Sequence, residues 1–297
     1  MKPNPFTLPG RGLDDRDPLC PWSDSHHASL YVDIGNSLDQ FDKFVAAVQD
    51  ASEVRRLASL FVVVGDAGCG KTAFLHRCVS FLWKVIGSST VVMFDLANET
   101  RVGVEARVQA EHITRRIVDF AESHGTFASA DQERLERKAQ DPHQMFPFLA
   151  DLLKRTSRHG LVILPPVEVA ETLRIYAGLA RPGLTFFVET SNIDLVREAQ
   201  ALHTVARLSL HRLDSLRVGD GWRFIEARLG RQPGSIPIDE ATATEYMKTR
   251  IHGQGQISIR ELELACRHVY AEAVAQAVPK INFSHFQDYY FRRGVLR

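Results

Sequence analysis

Hydrophobic positions along the chain follow two rhythms that change over near residue 213. Before it, short apolar runs alternate with stretches of helical period. The runs are "SLFVVVG" ending in Gly65, "TVVMFDL" (90–96), "LVIL" (161–164), "LTFFVET" (184–190) and "TVARLSL" (204–210). A run that is apolar throughout suits a strand buried on both faces, as in a parallel sheet. Helical spacing marks 37–51, with Phe41, Phe44, Val45 and Val48 on one face and Ser37 as N-cap. It marks 71–85, 104–122, 144–155 and "VEVAETLRIYAGLA" as well, and a short helix is expected after the fourth strand. Residues 128–141 read as a polar stretch. Strands alternating with helices predict an α/β core with a five-stranded parallel sheet. After residue 213 no strand pattern returns, and "DSLRVGDGWRFIEARLG", "DEATATEYMKTRI", "ISIRELELACRHVYAEAVAQAV" and "SHFQDYYFRR" read as helices. The expected organisation is an extended arm (1–28), a core (29–212), a small helical domain (213–278) and a terminal helix or tail (279–297).

The first strand runs into "GDAGCGKTA". Gly65, Gly70, Lys71 and Thr72 fill G-x-x-x-x-G-K-[ST], between a buried strand and a helix. Glycines let successive backbone amides of Gly65, Asp66, Ala67, Gly68, Cys69, Gly70, Lys71, Thr72 and Ala73 turn toward one phosphate. The helix N-terminus adds its positive dipole end. Lys71 reaches the terminal phosphates, and the Thr72 hydroxyl is placed to ligate Mg²⁺. Cys69 reads as a small residue that fits the turn.

A phosphate loop that hydrolyses its nucleotide needs a carboxylate for the metal at the end of another strand. In "LVILPPVEVA", Pro165 and Pro166 stand where two acids are expected. Proline carries no carboxylate and fixes its φ. Glu168 follows two residues later, and Asp95 and Glu189 sit at the ends of other strands, where ligands gather in a parallel sheet. Each is a candidate substitute.

Composition narrows the class. Lys plus Arg balances Asp plus Glu, so nothing marks a general nucleic-acid binder, although a local basic patch would still allow contact. Four scattered cysteines without a CxxC pair argue against zinc and suit a reduced compartment. The N-terminus lacks a signal-peptide apolar run, and no stretch reaches membrane-spanning length, so a cytoplasmic protein with no membrane partner is expected.

The order of these parts resembles the AAA+ ATPases, especially their origin-recognition and transposition-regulator branches, over residues 30–278. The resemblance implies a three-layer αβα P-loop NTPase core followed by an all-helical lid, with ATP or ADP and Mg²⁺ as ligands. "LTFFVETSN" looks like the sensor 1 strand, with Asn192 as the polar sensor. "GQISIREL" resembles the lid segment carrying the sensor 2 arginine, here Arg260, and Ser258 with Glu261 matches a capping box that would start that helix. Arg207, with Arg197 as competitor, stands where several branches place an arginine finger aimed at a neighbour's nucleotide. The catalytic set implied is Lys71, Glu168, Asn192 and Arg207.

The resemblance further implies a homo-oligomer or a complex with a partner protein. Small AAA+ proteins of this look occur in bacterial defence, transposition and signalling operons. The prolines depart from the family and imply slow or partner-dependent hydrolysis. Three roles follow: a nucleotide-dependent regulator or assembly switch, an active ATPase working on nucleic acid or protein, or a non-hydrolysing structural subunit. Nineteen residues follow Val278, fewer than a winged-helix domain needs, so DNA binding by that route is not expected. The aromatic and basic tail has the spacing of a helix packed on the lid, through Phe286, Tyr289, Tyr290 and Arg293. Stacking on a nucleic-acid backbone is the alternative.

Overall fold

The computed structural model describes residues 3–8, 12–15, 17–100, 104–195 and 206–294. The chain separates into two compact units. One comprises Gln40–Gly65 and Phe74–Arg212, the other Met1–Asp39, Asp66–Ala73 and Leu213–Arg297.

The first unit holds a parallel sheet of β1 (Ser59–Val64), β2 (Val91–Asp95), β3 (His159–Ile163), β4 (Leu184–Thr190) and β5 (Arg207–Arg212), in the order β2-β3-β4-β1-β5. Every residue of β1 and β3 is buried, as the continuous apolar runs require. The edge strands β2 and β5 are only partly buried. Helices α1 (Ser37–Ala47) and α2 (Ala51–Arg56) precede β1, and α3 (Lys71–Ile86) follows it. Between β2 and β3 lie α4 (Ala106–Ser123), α5 (Ser129–Lys138) and α6 (Pro142–Arg155), and α7 (Ala170–Leu179) joins β3 to β4.

Alternate side chains of the central strands supply the two faces. Phe61 and Phe187 stack on one face, where Phe44 of α1 lies edge-on to Phe61. Phe186 meets Phe146 of α6 on the other. Fully burying a side chain such as Phe44 is worth about 2–3 kcal/mol.

Two readings of this unit are refined by the structure. The polar stretch 128–141 is mostly helical, since α5 occupies most of it. It buries only Gln132 and Leu135, so its sequence shows almost no apolar stripe. Packing against its neighbours, with Gln132 Nε2 donating to the Val118 carbonyl, supplies what periodicity does not. The fifth strand is displaced toward the C-terminus of its expected span and pairs with β1 from Ser59↔Arg207 to Val64↔Arg212. The short helix expected before it, and Arg197, fall on residues 196–205, outside the described residues.

The second unit contains α8 (Val218–Leu229), α9 (Glu240–Gln254), α10 (Ile259–Ala275) and α11 (Phe283–Arg292). Its core gathers Phe224, Tyr246, Tyr270 and Phe286, and α11 contributes Tyr289 and Tyr290. The N-terminal stretch, expected as an extended arm, packs into this core. Phe6 is fully buried against Phe224 and Tyr270, and Arg267 Nε donates to the Phe6 carbonyl at 2.9 Å. A lone aromatic among prolines carries no periodicity, so only the fold reveals its place.

Candidate nucleotide-binding site

The loop after β1 starts where the Gly65 amide donates to the Thr190 carbonyl on β4. Gly68 and Gly70 then take φ of +78° and +94°, which side chains disfavour. Lys71 opens α3 and is buried, and its Nζ donates to the Asp66 carbonyl at 2.9 Å. The Cys69 amide reaches the same oxygen at 3.3 Å. Amide and ammonium donors thus converge on one point inside the loop. This donor set fits a nucleotide phosphate, and Thr72 follows directly on the helix for a metal ion.

By contact, the loop belongs with the helical unit. The Ile259 amide at the start of α10 donates to the Gly68 carbonyl at 2.9 Å. A Cβ on Gly68 would lie 2.4 Å from that of Ser258, so glycine is required by the lid as well as by its φ. Ser215 Oγ donates to Asp66 Oδ2 at 2.7 Å. A cleft of about 240 Å³ opens there, lined by Asp66, Ala67 and Cys69 from the loop and by Gln256, Ser258 and Glu261 from the lid. Sequence reasoning missed Ser215 and Ile259. Ser215 lies 149 positions from its partner Asp66, and no local pattern marks it.

Ser258 caps α10, its Oγ accepting from the Glu261 amide at 3.0 Å. The expected reciprocal bond is replaced. Glu261 Oε1 accepts from Arg250 Nε at 2.8 Å and from the Tyr290 hydroxyl at 2.9 Å, tying the lid helices together. Arg260 is exposed in the first turn of α10, one residue beyond the amide that meets the loop.

At the sheet's C-terminal edge the prolines reshape the ladder. The Leu164 amide donates to the Phe187 carbonyl, and two residues on Pro166 has no amide to offer Glu189. The Val167 amide takes that bond at 2.8 Å, a one-residue slip. Pro165 is buried, and Glu168 emerges exposed just beyond. Asn192 Nδ2 donates to the Glu168 carbonyl, while its Oδ1 accepts from the Asp194 amide. Glu189 lies on β4 beside β1, with Val63 as its partner. Asp95 ends β2, three strand spacings or about 14 Å from β1. Arg207 begins β5, opposite Ser59 and about 17 Å of strand from where β1 enters the loop. Its Nη1 donates to Glu53 Oε1 at 3.0 Å.

Solved structures share this architecture. The ORC2 protein of Aeropyrum pernix, in ADPNP–ADP complexes, aligns with a TM-score of 0.57 at 12% identity, covering 87% of this chain and 69% of that one. The ORC1 protein of Aeropyrum pernix in complex with DNA gives 0.58 at 13% identity, covering 90% and 67%. The Walker-type ATPase of Pyrococcus abyssi gives 0.53 at 12%, covering 95% and 76%. The chain has the AAA+ ATPase fold. No protein-family model and no curated protein matches the sequence. In this AAA+ architecture β4 separates β1 from β3, so the proline strand stands one strand removed from the loop strand. Among the described residues, no helix is long and apolar enough to cross a membrane.

Proposed function

We propose that the chain binds ATP through the phosphate loop and acts as a nucleotide-dependent assembly switch, with hydrolysis slow or dependent on a partner. The observation that carries this reading is the convergence of the Cys69 amide and Lys71 Nζ inside a loop held by the lid, combined with prolines at the end of β3. Backbone amides and Lys71 would bind the phosphates, and Thr72 would ligate Mg²⁺; Glu168 is the first candidate for the substitute acid. Bound Mg²⁺ would neutralise phosphate charge. Asn192 is the proposed sensor near that acid, and Arg260 the lid's contact with the nucleotide. Arg207 is the proposed contribution to a neighbouring subunit or partner protein. Removing a water-orienting acid costs orders of magnitude in rate without a matching loss of binding.

Titration calorimetry with ATP and ADP, paired with a turnover assay, tests the reading. Binding is expected to weaken more than about tenfold in Lys71→Ala, equivalent to at least ~1.4 kcal/mol. Turnover by the isolated chain is expected well below the enzyme median of about 10 s⁻¹. Affinity unchanged by Lys71→Ala would sink the phosphate-loop assignment, and turnover at the median would sink the slow-hydrolysis assignment.

A further inference from the structure

We propose that the backbone amide of Ile259 is a positioning group for the nucleotide, holding the phosphate loop in its binding conformation through the Gly68 carbonyl. The proposal rests on the ATP-binding reading above and names how the lid regulates that site.

Ile259 is the first residue of α10. Amides in a helix's first turn have no partner within the helix. This one is spent on the phosphate loop, at 2.9 Å from the Gly68 oxygen. In a trans peptide the C=O and the following N–H point in opposite directions. Fixing the Gly68 carbonyl toward the lid therefore fixes the Cys69 amide toward the other side. There it meets the Asp66 oxygen that Lys71 Nζ also contacts. A lid bond on one side of a single peptide unit thus aims a phosphate donor on the other, and hydrogen bonding at the carbonyl polarises that donor.

The contact is built rather than incidental. Gly68 admits it only because it lacks a Cβ, which would meet Ser258 at 2.4 Å. The donor end is anchored by the Ser258 cap and by Glu261, held by Arg250 and Tyr290. Coupling of this kind is reciprocal, so if the lid bond favours nucleotide, nucleotide must strengthen the lid bond.

Proline is tolerated at the first position of a helix, and Ser258 already has the extended backbone (φ −89°, ψ 151°) that precedes proline. Ile259→Pro therefore deletes the donor while keeping the helix start. Ile259→Ala removes the side chain but keeps the amide and serves as its reference. ATP affinity of Ile259→Pro is expected about three- to tenfold weaker than that of Ile259→Ala, the worth of one hydrogen bond. Without nucleotide, Ile259→Pro is expected to melt slightly below Ile259→Ala, by no more than the loss of that one bond explains. Equal ATP affinities overturn the proposal. Hydrogen exchange on the wild-type chain gives a second reading that needs no variant to fold. The Ile259 amide is expected to exchange more slowly than that of Arg260, and more slowly still with ATP. Fast exchange unaffected by bound ATP overturns the proposal alone, whereas no ATP binding by the wild-type chain overturns it together with the nucleotide reading.

Discussion

The side-chain amide of Asn192 donates to the backbone carbonyl of Glu168 at 3.3 Å. This bond joins the end of β4 to the segment after the prolines and leaves the Glu168 carboxylate exposed at the sheet's C-terminal edge. Asn192 here does the work of a turn residue, so a sensing role requires its amide to leave Glu168. Glu168→Gln is expected to lower the residual turnover by about tenfold or more with ATP affinity within about twofold. Glu189→Gln and Asp95→Asn are the comparisons. A larger loss in either would transfer the role of substitute acid to it.

Arg207 is engaged within its own chain by Glu53, in a pair whose side chains are 36% and 43% exposed. An exposed pair of this kind is worth roughly 0–1 kcal/mol, so a neighbouring nucleotide can compete for the arginine. Arg207→Ala is expected to weaken ATP-dependent assembly and leave monomer stability within about 1 kcal/mol. Light scattering without nucleotide, with ADP and with ATP checks this. A monodisperse monomer in all three states, with and without candidate partners, would remove the switch.

Two histidines in the sheet make stability depend on pH. His159 and His211 are 0% and 2% exposed, and burial lowers each from 6.5 to about 4, with Arg55 adding to the effect at His159 and Lys43 at His211. The folded chain therefore prefers both rings neutral, while the unfolded chain protonates them below about 6.5. Stability from this source is complete above pH 6.5 and is lost as pH falls toward 4, by about 3 kcal/mol for each ring. His211 lies among Phe44, Phe61 and Phe74, so His211→Phe is expected to flatten the dependence between pH 6.5 and 4 in urea unfolding. An unchanged slope would refute the assignment to His211.

Phe6 tests whether the N-terminal stretch belongs to the helical unit. Phe6→Ala is expected to cost about 3–5 kcal/mol, the range for emptying a buried aromatic site. Chemical unfolding measures it, and a loss below 1 kcal/mol would mean that the stretch merely rests on the surface.

What the sequence by itself determined is local in origin. The apolar runs of β1, β3 and β4 specify buried strands because a strand covered on both faces has no polar side to show. G-x-x-x-x-G-K-T specifies the loop because left-handed glycines and a lysine at that spacing are chemical requirements within eight residues. Pro165 and Pro166 are local in the same way, two adjacent positions after β3 that carry no carboxylate. Tertiary structure decided whatever depends on distant partners. It chose β4 as the neighbour of β1, which puts Glu189 on the adjacent strand and Asp95 on a strand three places away. It made α5 a helix despite its polar sequence and drew Phe6 into a core built far along the chain. It turned Glu261 from its own helix cap toward Arg250 and Tyr290. It also brought the Ile259 amide to Gly68, a contact invisible in sequence because every non-proline residue carries the same amide and only the fold determines which carbonyl it meets.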